Sequence, residues 1–249
     1  MENIKIILND PLTMAIAPAS NNSENLDFQN LITHIQSEMA IEINIKHCKN
    51  YNEAIQMLLS RKAQIGWLGG VFANQTFENK NNLIEEFAVG VPKDKDVPFY
   101  RSQFIVRASS EIRILEDVRN TIIAMGDVFS TSGYLIPKKE LSEVGLDIEN
   151  ENSFSEIINV SNHDQAILEV INGKVDVAPV SSVNLDLMIK NKKINAKEIR
   201  IIHQSSNISG APLVYLSSLD SVLKKQIKSV VLNAHNHINV NGYGGRLDR

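Results

Sequence analysis

Gly126 to Gly133 reads GDVFSTSG, so three consecutive hydroxyl side chains, Ser130, Thr131 and Ser132, stand directly before a stretch of helical period that opens at Tyr134. The first turn of a helix leaves backbone N–H groups without intrahelical acceptors and carries the positive end of the helix dipole. Such a place can hold an anion, with the hydroxyls as additional donors. Ser and Thr are also preferred N-caps of any helix, so the same residues read as plain capping. The spacing excludes two phosphate motifs: no Lys follows the second Gly as in a P-loop, and the glycines do not fall as GxGxxG. Pro137 is tolerable because it falls near the first turn.

Other segments carry weaker signals. Ile65 to Phe72, IGWLGGVF, ends a strand in Trp67 and then places Gly69 and Gly70, which permit a tight turn or a close approach of backbone to a ligand. Pro98 to Ser102 sets Tyr100 and Arg101 at the entrance to a strand. His163, in the sequence Ser161 Asn162 His163 Asp164, lies between a strand and a helix, where it reads as part of a cap region or as a donor to an anion. His235 and His237, two apart in a predicted helix, point to different faces and make no metal pair. The single cysteine, Cys48, forms no internal disulfide and no Cys-type zinc site; it reads as small apolar filler. There is no GxSxG, HExxH or Cys-based motif, so nothing marks an activated nucleophile or a metal.

The elements that must position these residues alternate in type. Short β-branched runs are predicted as strands at Ile4 to Leu8, Ile41 to His47, Ala63 to Leu68, Glu86 to Val91, Ser102 to Ala108, Thr121 to Met125, Ile157 to Val160, Val175 to Val180, Ile199 to His203 and Pro212 to Leu216. Between them lie amphipathic stripes: Phe28, Ile32, Ile35 and Met39; Ala54, Met57 and Leu58; Leu135 to Val144; Ala166 to Ile171; Leu223 to Leu232. This is α/β architecture. Asn9 to Ser23 and the Gly-rich tail at Asn241 to Gly245 read as loops.

At 249 residues the chain has room for one to two domains. No repeat or low-complexity linker divides it, which points to two lobes joined by continuous strands. Ser102 to Ala108 and Ile202 to Ser209 are the candidate crossings, giving lobe one as residues 1–104 plus 206–249 and lobe two as 105–205. Apolar residues at 43% and charged residues at 22% exclude disorder as the main state. The formal charge of −4 gives no support for nucleic acid or anionic membrane as a partner. The longest apolar run, Ile65 to Ala73, falls far short of the ~20 residues of a membrane helix. Met1 to Pro11 carries no secretory signal, so the sequence is expected to be cytosolic or to start after a removed leader.

Six segments in order resemble one family, the phosphonate-type solute-binding proteins that deliver ligand to ABC importers. They are Ala54 to Gly69 (AIQMLLSRKAQIGWLG), Tyr100 to Ser110 (YRSQFIVRASS), Ile114 to Gly145 with STSGYLIP at its centre, Asn162 and His163 before a helix, Gly173 to Ala178 (GKVDVA), and Ser205 to Pro212 (SSNISGAP). The resemblance covers nearly the whole chain.

It implies a two-lobed type II periplasmic-binding-protein fold with two crossover strands, closing on ligand as a hinged clamp. It implies that Ser130, Thr131 and Ser132 hold a tetrahedral oxyanion, phosphonate, phosphite or phosphate, in an interlobe cleft. His163 would assist from the same lobe, Tyr100 would line the cleft, and Trp67 and Gly69 would close it from lobe one. The implied partners are the small oxyanion and the permease subunits of an ABC transporter. The implied protein is a monomer, periplasmic or extracellular and membrane-associated after leader removal, without direct membrane insertion, cofactor, metal or catalysis. The family member that binds aminoalkyl phosphonates resembles this chain closely around Val180 to Asp186 but carries a carboxylate where it has Val183. The acid that would pair with a ligand ammonium is therefore absent.

Two other readings stand beside this one. The same fold can serve as the ligand-binding subunit of a sensor that signals to a membrane receptor. A serine-based hydrolase would use Ser130 or Ser132 as nucleophile, His163 as base and Asp164 as orienter. Adjacent residues are a poor way to place a carboxylate behind an imidazole.

Overall fold

In chain order the elements are β1 (Leu12–Ile16), α1 (Phe28–Met39), β2 (Ile43–His47), α2 (Tyr51–Leu59), β3 (Ile65–Trp67), β4 (Ile84–Val91), β5 (Phe99–Tyr100), β6 (Ser102–Arg107), β7 (Ile122–Met125), α3 (Ile136–Glu143), β8 (Glu156–Asn159), α4 (His163–Ile171), β9 (Val177–Ser181), α5 (Ser182–Lys190), β10 (Ile199–Gln204), β11 (Ile208–Ser209), β12 (Pro212–Leu216), α6 (Ser221–Asn233) and β13 (Arg246–Asp248). They are taken from a computed structural model that describes residues 10–18, 28–68, 83–91, 96–150, 152–240 and 246–248. The chain divides into two compact units: the second is Phe99–Ile208, and the first holds the described residues before and after it.

The first unit is built on a six-stranded sheet of order β13-β4-β12-β3-β1-β2. β1 pairs in parallel with β2 and with β3, while β12 runs antiparallel to both β3 and β4. The apolar stripe of α1 is buried through Phe28, Leu31, Ile32 and Ile35, and that of α2 through Tyr51, Ala54, Ile55 and Leu58. Phe87 and Tyr215, on the paired strands β4 and β12, stack at a centroid distance of 4.5 Å. Each fully buried aliphatic side chain is worth about 1.5–3 kcal/mol in area removed from water.

The second unit is a five-stranded sheet of order β10-β6-β9-β7-β8 with an apolar core on each face. β6 shows the period-2 logic directly: Phe104 and Val106 pack with Leu115, Leu141, Leu146 and Phe154, and Ile105 packs on the opposite face with Ala166, Ile167 and Leu185. A strand buried on both faces reads as a continuous apolar run. The segments that carry the chain between the units, β5 and β11, pair as a two-stranded ribbon.

Several sequence expectations change here. β1 falls in the segment read as loop; Met14 and Ala15 have little β propensity, and its stability comes from parallel neighbours on both sides. The strand expected at Ile4 to Leu8 lies outside the described residues, as does the Gly-rich tail. Ser102–Arg107, within the segment expected to cross, pairs with β9 and β10 in the second sheet, and the second unit begins at Phe99. The helix expected to hold His235 and His237 ends at Asn233, and the His237 ring stacks on His34 of α1 at 5.5 Å.

The end of α4 illustrates local encoding. Gly173 has φ of +74°, its N–H donates to the carbonyl of Val170 at 3.1 Å, and the N–H of Lys174 donates to that of Glu169 at 3.0 Å. These are the two bonds of a Schellman stop, which favours glycine because L side chains are strained there. A Cβ on Gly173 would also stand 1.9 Å from Nη1 of Arg107, forcing that flexible side chain away. Gly173→Ala is expected to destabilise the protein by about 1–2 kcal/mol, the cost of a left-handed L residue. Urea unfolding checks it; an unchanged midpoint would contradict this account of the helix end.

Candidate functional site

Strand β7 ends at Met125, and the chain then makes a short loop and a wide helical turn, Thr131–Leu135, before α3 begins at Ile136. The turn is wide because the N–H groups of both Tyr134 and Leu135 reach the carbonyl of Ser130, each at 3.0 Å, and the N–H of Ile136 reaches that of Thr131. One-turn widenings of this kind recur at functional sites. The widening diverts the Ile136 N–H from the Ser132 carbonyl to that of Thr131, and Pro137, lacking an N–H, cannot serve the Gly133 carbonyl. Both find substitutes from strand ends. Ser102 Oγ, at the start of β6, donates to the Ser132 carbonyl at 2.7 Å, and the Gly126 N–H donates to the Gly133 carbonyl at 2.9 Å.

The three hydroxyls divide the two roles that sequence allowed them. Ser130 caps: its Oγ accepts from the Gly133 N–H at 3.1 Å, while its own N–H donates to the Asp127 carbonyl at 2.7 Å. Thr131 and Ser132, both 2% exposed, instead direct their hydroxyls toward the phenol of Tyr100. Burial pushes the Tyr100 hydroxyl up to about 12, partly offset by the hydrogen bonds from Ser132 and Thr131, so it is a neutral O–H at any physiological pH. Tyr100 reaches this place from β5.

His163 is the first residue of α4, whose N-cap Asn162 accepts from the Gln165 N–H at 2.9 Å. Its ring is held at both nitrogens. The backbone N–H of Ser181, at the end of β9, donates to Nδ1 at 3.3 Å, and Nε2 lies 3.2 Å from Ser132 Oγ. An imidazole nitrogen that accepts carries no proton, so the neutral ring has its proton on Nε2 and donates to Ser132. Burial pushes the His163 pKa down to about 4, with the Asp164 charge opposing weakly, and the ring is neutral near pH 7. Gly133 is required by close approach: a Cβ there would lie 2.9 Å from Ser130 Oγ and 3.2 Å from Cε1 of His163.

The structure therefore brings together five of the expected residues, Ser130, Thr131, Ser132, Tyr100 and His163, all within the second unit. Trp67 sits in the first unit at the end of β3, 3% exposed and 5.7 Å from the Phe28 ring. Gly69 lies outside the described residues. Asp164, 3% exposed, accepts from the Asn184 amide of α5 at 3.2 Å. Sequence reasoning missed Ser102, which orients the turn, and the Ser181 N–H, which orients His163. A serine starting an otherwise apolar strand was the available signal for the first; a backbone donor gives none.

Among the described residues no helix is long and apolar enough to cross a membrane. A family model described as "ABC transporter, phosphonate, periplasmic substrate-binding protein" matches residues 14–240. The "Phosphonates-binding periplasmic protein" of Escherichia coli strain K12 is 28% identical over 209 residues, an alignment that spans 80% of this chain but only 58% of that protein's length. Two solved structures superimpose over 96% of this chain. The binding protein component of an ABC phosphonate transporter from Pseudomonas aeruginosa does so with a TM-score of 0.84 at 22% identity, covering 81% of that chain. PhnD1 of Prochlorococcus marinus MIT 9301, in complex with methylphosphonate, does so with a TM-score of 0.83 at 21% identity, covering 92% of that chain.

Proposed function

The chain belongs to the family of periplasmic substrate-binding proteins of phosphonate ABC transporters, and from that membership and the geometry of the Ser130–Gly133 turn we propose that it binds a small tetrahedral oxyanion for delivery to ABC permease subunits. Its fold is that of the type II periplasmic binding proteins. The family is one of solute-binding proteins rather than enzymes, and it is periplasmic. The ligand in this proposal is a phosphonate, phosphite or phosphate, in keeping with the E. coli relative named for phosphonates and with the methylphosphonate bound to PhnD1. The protein acts as a monomer in this reading.

The observation that carries the proposal is the preorganised turn. Its carbonyls are held by Ser102 and Gly126, its cap by Ser130, and its remaining hydroxyls are neutral donors beside a neutral phenol and a neutral imidazole. Donors that are already in place need no reorganisation when an anion arrives. Being uncharged, they also suit a receptor that must release its cargo.

The same geometry speaks against a serine hydrolase. A catalytic imidazole must accept the serine proton at Nε2 while Nδ1–H donates to a carboxylate. In this protein Nδ1 accepts from a backbone N–H and Nε2 carries the proton, so His163 cannot deprotonate Ser132. Asp164, the expected orienter, is engaged by Asn184 instead.

A thermal-shift panel of phosphite, phosphate, methylphosphonate, 2-aminoethylphosphonate and sulfate tests the proposal. A ligand at 100 times its dissociation constant adds about 2.7 kcal/mol of stability. At least one phosphorus oxyanion is expected to raise the melting temperature; a panel that leaves it unmoved would sink the reading.

A further inference from the structure

We propose that His163 acts through Ser132 as a proton-count filter, so that the site selects oxyanions carrying no acid proton. The proposal rests on the oxyanion reading of the Ser130–Gly133 turn and adds to it the protonation state of the ligand.

The chain of contacts begins at Ser181. Its backbone N–H is fixed by the β9-to-α5 junction and has no alternative tautomer, so the 3.3 Å bond to Nδ1 decides which ring nitrogen carries the proton. The proton on Nε2 then faces Ser132 Oγ at 3.2 Å. A serine hydroxyl ordinarily rotates to donate or to accept as its partner requires. With an imidazole N–H behind it, the Ser132 hydroxyl accepts there and turns its own proton away from the ring. That proton is directed toward the side where Tyr100 approaches.

Several of the described polar groups around it already hold hydrogen bonds. Ser130 Oγ already accepts from the Gly133 N–H. Asp127 Oδ1 accepts from the Phe129 N–H at 2.9 Å, and Asp164 Oδ1 accepts from the Asn184 amide at 3.2 Å. Of the elements packed against His163, the turn presents Ser132 and Gly133, and the β9-to-α5 junction presents Ser181; the charged group acting on the ring is Asp164, from its own helix. The imidazole is neutral over the range in which phosphonates titrate, consistent with its burial.

A ligand with a P–OH group needs an acceptor facing it, and a buried donor left without one loses its hydrogen bond to water. Methylphosphonate and phosphite dianions carry no such group. The monoanions do, and so does phosphate in its hydrogenphosphate form. Discrimination by proton count therefore separates ligands of almost equal size.

Titration calorimetry with methylphosphonate from about pH 5.5 to 8.5 tests this, with methanesulfonate, which does not titrate there, as the control. Below its second ionisation, methylphosphonate is expected to lose affinity by about tenfold per pH unit, the slope of one proton, and to level off above it. Methanesulfonate is expected to show no slope, and phosphate to bind at least about tenfold more weakly than phosphite. His163→Leu should weaken methylphosphonate binding about tenfold and flatten its slope, because Ser132 is then free to accept, while His163→Gln, with an amide N–H near the Nε2 position, should restore both. In a Ser132→Ala background His163→Leu should change affinity by less than about threefold. Methylphosphonate affinity that is flat with pH or tightens on acidification, or an undiminished His163→Leu effect without Ser132, overturns the filter and leaves oxyanion binding standing. Failure of every oxyanion to bind at any pH overturns both.

Discussion

Thr131→Val is expected to weaken methylphosphonate or phosphite binding by about 10-fold to 150-fold, the value of a lost hydrogen bond to a charged partner at roughly 1.5 to 3 kcal/mol. Valine nearly preserves the volume of threonine, and Thr131 is 2% exposed, so the substitution removes the hydroxyl, with its bond to Tyr100, and little volume. The turn's backbone is held by other groups: the Ser130 cap on Gly133, the Ser102 hydroxyl on the Ser132 carbonyl and the Gly126 N–H on the Gly133 carbonyl. The variant should therefore fold as the parent does, and its melting temperature without ligand serves as the control. Calorimetric titration giving the parent affinity would place the anion away from this turn. Ser130→Ala would be a poorer probe, since it also removes the cap.

The features legible in the sequence came from composition and local chemistry. The STSG segment after an apolar strand declared a helix-terminal donor site, and the structure puts Ser130, Thr131 and Ser132 in one wide turn. Sequence could not say which of the three caps and which turn toward Tyr100, because the turn is held by a carbonyl partner, Ser102, brought by a strand 30 residues away in the chain. His163 was visible only as a loop histidine beside an aspartate; its tautomer depends on a backbone N–H of Ser181, and backbone donors leave no mark on residue type. β1 escaped notice for a related reason. Met14 and Ala15 within it carry little intrinsic preference for a strand, and the parallel pairing with β2 and β3 that stabilises it is non-local. Pro137, conversely, is informative only in hindsight: it looked merely tolerable near a helix start, whereas its missing N–H leaves the Gly133 carbonyl to the Gly126 N–H, one of the bonds that fasten the site.

Methylphosphonate is expected to bind at least about 100-fold more tightly than 2-aminoethylphosphonate, a difference of roughly 2.7 kcal/mol. The two share the group proposed to sit on Ser130, Thr131 and Ser132 and differ by an ammonium on a short tether. By the resemblance drawn from the sequence, the family member that takes aminoalkyl phosphonates carries a carboxylate where this chain has Val183. Here that position is 9% exposed, in the first turn of α5, two residues beyond the Ser181 N–H that holds His163. An ammonium brought there loses hydration and meets an isopropyl group, and an unpaired buried cation costs several kcal/mol. A methyl group or a P–H hydrogen meets the same surface without that cost. Val183→Glu should reverse the preference, since a carboxylate in the first turn of a helix is also favoured by the helix dipole. Direct competition between the two phosphonates decides the matter. Tighter binding of the amine by the parent protein would mean that another acid, Asp127, Asp164 or Asp186, faces the ammonium and that Val183 does not set the selectivity.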